Sequence, residues 1–158
     1  MRRIAVWLLA LALLFGIAAR AAEDLDTGLI KDAKQALTLI SYGEYKKALK
    51  KLDFSGEVSS KKLKSFAEEN LSDAFLGEVQ TDVAVAWKSG DSWIVAVPVE
   101  EPSYRGVQVF ALRSKDGKQF DAYKAMTWGD VLAECGGSDS VIWKNAYEPE
   151  ALTIVADE

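Results

Sequence analysis

The stretch VQTDVAVAWKSGDSWIVAVPV, residues 79–99, decides the fold. Val79, Thr81, Val83, Val85 and Trp87 alternate against Gln80, Asp82, Ala84, Ala86 and Lys88, a period of two that reads as a β-strand. Ser89-Gly90-Asp91 turns the chain, and Trp93, Val95, Val97 and Val99 form the returning strand. Pro98 lacks the N–H that a ladder needs, which predicts an edge position or a bulge there. Beyond the loop at 100–106 the pattern predicts a third strand from Val107 to Arg113. Asp116-Gly117 is a two-residue hairpin signal ahead of a fourth strand, Phe120 to Met126. Four consecutive antiparallel strands are the natural result.

Upstream of this stretch the period is that of a helix. Leu29, Ile30, Ala33, Leu37 and Ile40 share one side of a segment from Asp26 to Ile40, with Asp26 or Thr27 as N-cap and Gly43 in the turn that ends it. A second helix, from about Glu44 to Leu52, has the stripe Tyr45, Ala48, Leu49 and Leu52 and a lysine face of Lys46, Lys47, Lys50 and Lys51. Ser59 or Ser60 caps a third, with Leu63, Phe66, Ala67 and Leu71 inward. Downstream, Thr127-Trp128-Gly129-Asp130 resembles a capping box with aspartate in the glutamate position, opening a short helix over 131–135 that Gly136-Gly137 stops. Val141 to Tyr147 and Leu152 to Val155 can each add a strand. The expected class is therefore α+β: about three N-terminal helices packed on a curved antiparallel sheet of four to six strands.

The first residues carry a different signal. Arg2 and Arg3 precede an uncharged apolar run from Ile4 to Ala19, followed by the small-residue pattern Ala19-Arg20-Ala21. That order is expected of a cleaved export signal over residues 1–21, which leaves 22–158 as one domain, periplasmic or secreted. Sixteen apolar residues fall short of the ~20 that span a bilayer. Removing Arg2, Arg3 and Arg20 from the 19 basic residues leaves 16 against 24 acidic ones, a net charge near −8, which argues against nucleic acid as a partner. The single Cys135 has no second cysteine in the chain, so it is a buried hydrophobe, a free thiol or an intermolecular bridge.

The chain has no histidine, which excludes serine–histidine and cysteine–histidine nucleophile systems and histidine-ligated zinc. No Asp-x-Asp-x-Asp-Gly calcium loop is present, and no metal, cofactor or catalytic residue is assigned. Large aromatics concentrate in the sheet half, and Trp87, Trp93, Tyr123 and Trp128 are the candidate ligand-binding residues, with Trp87 and Trp93 flanking one turn where they could meet across strands. The competing reading of the same aromatics is core packing. Seven lysines lie between Tyr45 and Lys64, namely Lys46, Lys47, Lys50, Lys51, Lys61, Lys62 and Lys64, a local excess that could contact an anionic partner.

Gly43-Glu44-Tyr45-Lys46-Lys47-Ala48-Leu49 resembles the inter-helix stretch of a tetratricopeptide repeat, but a single copy reads as helical-hairpin packing. The order of helices followed by a long antiparallel meander resembles the nuclear transport factor 2-like (NTF2-like) α+β cone, and a cystatin-like sheet wrapped on helices reads similarly. The NTF2-like resemblance implies an apolar pocket used by some members for isomerase or dehydratase chemistry and by others for binding alone. Non-catalytic binding of a small ligand or protein partner is the expectation. The alternatives are a pocket enzyme using Asp82 or Asp121 with Tyr123, and an interaction protein that docks through the lysine face or dimerises through the open side of its sheet.

Overall fold

The computed structural model describes residues 28–71, 79, 82–138 and 140–144. The expected export signal, the Asp26 or Thr27 cap and the strand over 152–155 lie outside the described residues. Helix α1, Ile30–Ser41, buries Ile30, Ala33, Ala36, Leu37 and Ile40 along one stripe. It ends in a Schellman turn: the Gly43 N–H donates to the Ile40 carbonyl at 2.9 Å and the Glu44 N–H to the Leu39 carbonyl at 2.8 Å. The turn requires a left-handed residue, and Gly43 supplies it at φ 74°. Helix α2, Tyr45–Leu52, buries Ala48 and Leu52 and stops at Asp53, itself left-handed at φ 40°. Helix α3, Ser60–Asn70, starts from Ser59, whose hydroxyl accepts the Lys62 N–H at 3.2 Å, and buries Leu63 and Ala67.

Among the described residues five antiparallel strands follow: β1 Ala84–Ser89, β2 Ser92–Pro98, β3 Gln108–Ser114, β4 Ala122–Thr127 and β5 Val141–Lys144, with helix α4, Trp128–Gly136, between the last two. The sheet is open, in the order β4-β3-β2-β1-β5. The first four strands are the meander read from the sequence. The connection from β4 to β5 must travel from one edge of the sheet to the other, and α4 lies along that path.

The two alternating sets of the opening stretch are both buried. Ala84, Ala86, Val95 and Val97 pack with α1, α2 and α3, whereas Val83, Val85, Trp87, Ile94 and Ala96 pack with Val131 and Cys135 of α4. The sheet is therefore a middle layer, with three helices on one face and one on the other. Size follows from this arrangement: α1 presents Ala33 and Ala36 to the face where β1 carries Ala84 and Ala86, and the bulkier Val85 and Trp87 occupy the other face.

Two local expectations are corrected. Pro98 lies in the central strand β2, not at an edge, and is the last residue of that strand. Register on β1 is described only as far as Val85↔Ala96, and the Val99 N–H donates to Gln108 on β3, so the position of the missing N–H faces the β1 side beyond that register. Asp116-Gly117 makes no tight hairpin. The closing pair is Arg113↔Ala122, leaving a loop over 115–121 in which the Asp116 carboxylate accepts the N–H groups of Lys118 at 2.9 Å and Gln119 at 3.0 Å. A two-residue loop would shift β4 by two positions and leave every side chain on its present face, so alternation does not decide between the registers. Phe120 marks the difference. It leaves the ladder and is fully buried on the helical side, where its carbonyl accepts the Ser55 N–H at 2.9 Å. The Gly90-Asp91 turn is tight as expected, with Ser89 opposite Ser92 and Gly90 at φ 59°.

Among the described residues no helix is long and apolar enough to cross a membrane.

Candidate functional site

Trp87, Trp93, Tyr123 and Trp128 are divided between the two faces of the sheet. Trp87 pairs with Ile94 and Lys88 with Trp93, so the two tryptophans point to opposite sides and do not meet. Trp87 and Trp128 are buried in the core beneath α4. Trp93 and Tyr123 pack, half-buried, against the core under α1–α3. Tyr123 stands in an aromatic group with Phe66 at 4.7 Å, Phe54 at 5.7 Å and Phe110 at 6.4 Å between ring centroids, and burial raises its hydroxyl pKa above the ordinary value. Trp128 opens α4. Its N–H donates to the Val107 carbonyl and that of Gly129 to the Arg105 carbonyl, both at 2.8 Å, which ties the helix start to the β2–β3 loop.

The ionisable groups of the pocket-enzyme alternative are engaged elsewhere. Asp82 has an 85% exposed side chain and lies 3.3 Å from the Lys34 ammonium of α1. Asp121 accepts from Arg113 Nε at 2.6 Å and lies 3.6 Å from Lys115. A pocket of about 180 Å³ opens between β2, β3 and β4, lined by Ile94, Ala111, Arg113, Tyr123 and Lys124 among others. Its two cations are already matched, Arg113 by Asp121 and Lys124 by Glu134 at 3.0 Å. Burial in the apolar layer beneath α4, and next the charge of Glu134, push the Cys135 thiol up to about 12, which removes its thiolate at neutral pH. No group of three potential metal-ligating side chains occurs among the described residues.

The lysine-rich segment behaves differently. An open groove of about 440 Å³ runs between the start of α2 and the start of α3, lined by Gly43, Glu44, Tyr45, Lys46, Lys47, Ser60, Lys61 and Lys64. Two of the seven lysines come to it from each helix, while Lys50, Lys51 and Lys62 lie outside its lining. Their positions run against helix electrostatics. Lys46 and Lys47 are the second and third residues of α2, Lys61 and Lys62 those of α3, and neither first turn holds an acidic residue. A helix start carries about half a positive charge, so each cation there costs about 0.3–1 kcal/mol. Lys50 and Lys51, in the last turn of α2, complement the dipole instead.

Within the groove Lys47 pairs with Glu44, and Lys64 lies 3.5 Å from Glu68. Lys46 and Lys61 have no ion-pair partner among the described residues. The α2 N-cap, Glu44, makes no side-chain bond to the helix amides. The lysine excess is visible in the sequence and the convergence is not, its one local signal being the missing first-turn acids of two neighbouring helices.

Comparison with family models, with curated proteins and with solved structures returns no match for this chain.

Proposed function

We propose that this protein is an exported, non-catalytic binding domain that receives an anionic partner in the groove between α2 and α3. One observation carries the reading: four lysines of two helices converge on one groove, three of them (Lys46, Lys47 and Lys61) in first turns where the helix dipole disfavours a cation, on a chain whose overall charge is −5. Cations held against the local field on an acidic molecule are the expected signature of a site kept for binding rather than for stability. The order of helices followed by an antiparallel meander is compatible with the NTF2-like cone, and the groove lies on the outside of that architecture. Export is supported by the tripartite signal at the N-terminus, and cleavage there makes Ala22 the first residue of the mature protein.

Calorimetric titration with tripolyphosphate tests the reading. Exposed charge pairs contribute about 0.2–1 kcal/mol each, so replacing Lys46, Lys61 and Lys64 together by glutamine is expected to weaken binding about tenfold. Replacing Lys50 and Lys51 is expected to leave it within about twofold, because these lie outside the groove, and raised salt weakens the wild type more than the triple variant. Equal loss in both variants would mean that general charge, not the groove, holds the ligand.

A further inference from the structure

Among the described residues that line the groove, Glu44 is the one acid. Glu44 is the N-cap of α2 at φ −85° and ψ 49°, outside the extended backbone from which Ser59 and Thr127 accept the amides of their helices. It makes no such bond, and its carboxylate lies on the Lys47 ammonium with Oε2 shielded from solvent. The groove is therefore already partly filled by an anion belonging to the protein.

We infer that Glu44 is a specificity-determining residue, selecting ligands with two or more anionic centres over those with one; the inference rests on the groove being an anion site. Lys47 is paired with Glu44 at the start of its own helix, so the other cations a ligand meets are Lys46 on the α2 wall and Lys61 and Lys64 on the α3 wall. The Lys64–Glu68 pair, at 3.5 Å and more than half exposed on both sides, holds Lys64 only weakly. A single-centre anion has two routes. It can engage one wall while facing the repulsion of Glu44, or it can displace Glu44 from Lys47 and exchange one anion for another with little gain. A ligand with several centres reaches both walls at once and leaves Glu44 in place, its second contact being favoured by the high effective concentration that linkage confers. A phosphorylated or sulfated polymer fits this requirement, and an isolated phosphate does not.

The experiment compares inorganic phosphate with tripolyphosphate on the full mature protein and on the near-isosteric E44Q variant. Removing one like charge at contact distance in a solvated groove is worth about a factor of five to ten. E44Q is therefore expected to bind inorganic phosphate about five- to tenfold more tightly and tripolyphosphate within about twofold of wild type, so that the selectivity ratio falls. An unchanged ratio, with tripolyphosphate binding still dependent on Lys46, Lys61 and Lys64, overturns the role of Glu44 and leaves the groove as the binding site. Absence of lysine-dependent binding by both proteins overturns the two together.

Discussion

At the scale of single residues, a few positions set the ends of elements. Gly43 adopts the left-handed conformation that the α1–α2 turn requires, which costs other residues about 1–2 kcal/mol. Thr127 and Asp130 form a reciprocal capping box: the Asp130 N–H donates to the Thr127 hydroxyl oxygen at 3.2 Å, and the Asp130 carboxylate accepts from the Thr127 N–H at 2.9 Å. The Thr127 N–H foremost, and next the Thr127 hydroxyl, which donates to the same carboxylate at 2.7 Å, hold the Asp130 carboxyl below its ordinary value of 3.8. A carboxyl depressed on folding contributes stability that is present above the unfolded-state pKa and lost as pH falls through the folded one. Asp130→Ala is therefore expected to lower stability at pH 7 by about 1 kcal/mol, and the gap to wild type should close below about pH 4. Urea unfolding at pH 7 and at pH 3 measures both, and a gap undiminished in acid would assign the effect to something other than the charged cap.

At the scale of elements, the sheet is a shared wall between two cores. Strand identity was legible because alternation is a local property, but alternation does not say whether the second face meets water or another helix. The alanines of β1, Ala84 and Ala86, are small because α1 lies close against them, and that cause sits about fifty residues earlier in the chain. The α3 helix depends on one aromatic anchor, Phe66, set 6.0 Å from Phe110 and 4.7 Å from Tyr123. Phe66 is only partly buried, so Phe66→Ala is expected to cost about 2–3 kcal/mol, below the range for a fully buried ring. Because α3 carries Lys61 and Lys64, the same change should weaken tripolyphosphate binding in protein that remains folded. Calorimetry below the unfolding transition checks this, and unaltered affinity would show that the groove does not need α3 held in place.

At the scale of the whole molecule, stability and the proposed binding are set against each other. Lys46 and Lys61 oppose the dipoles of their helices, so Lys46→Gln and Lys61→Gln are each expected to stabilise the fold by about 0.3–1 kcal/mol while lowering anion affinity. A fall in thermal midpoint for both would mean that these lysines support the fold. The sequence by itself determined the helices, the meander, the capping box of α4 and the lysine excess, because periodicity and caps depend on residues within a few positions of one another. It also contained the candidate aromatics but could not place them: Trp87 and Trp93 are six residues apart and on opposite faces because of the register of one hairpin. Tertiary structure alone decided the second core, the wider β3–β4 loop that buries Phe120, and the gathering of four lysines about Glu44. Each of these depends on which surfaces of distant segments exclude water together, a choice made by the chain as a whole.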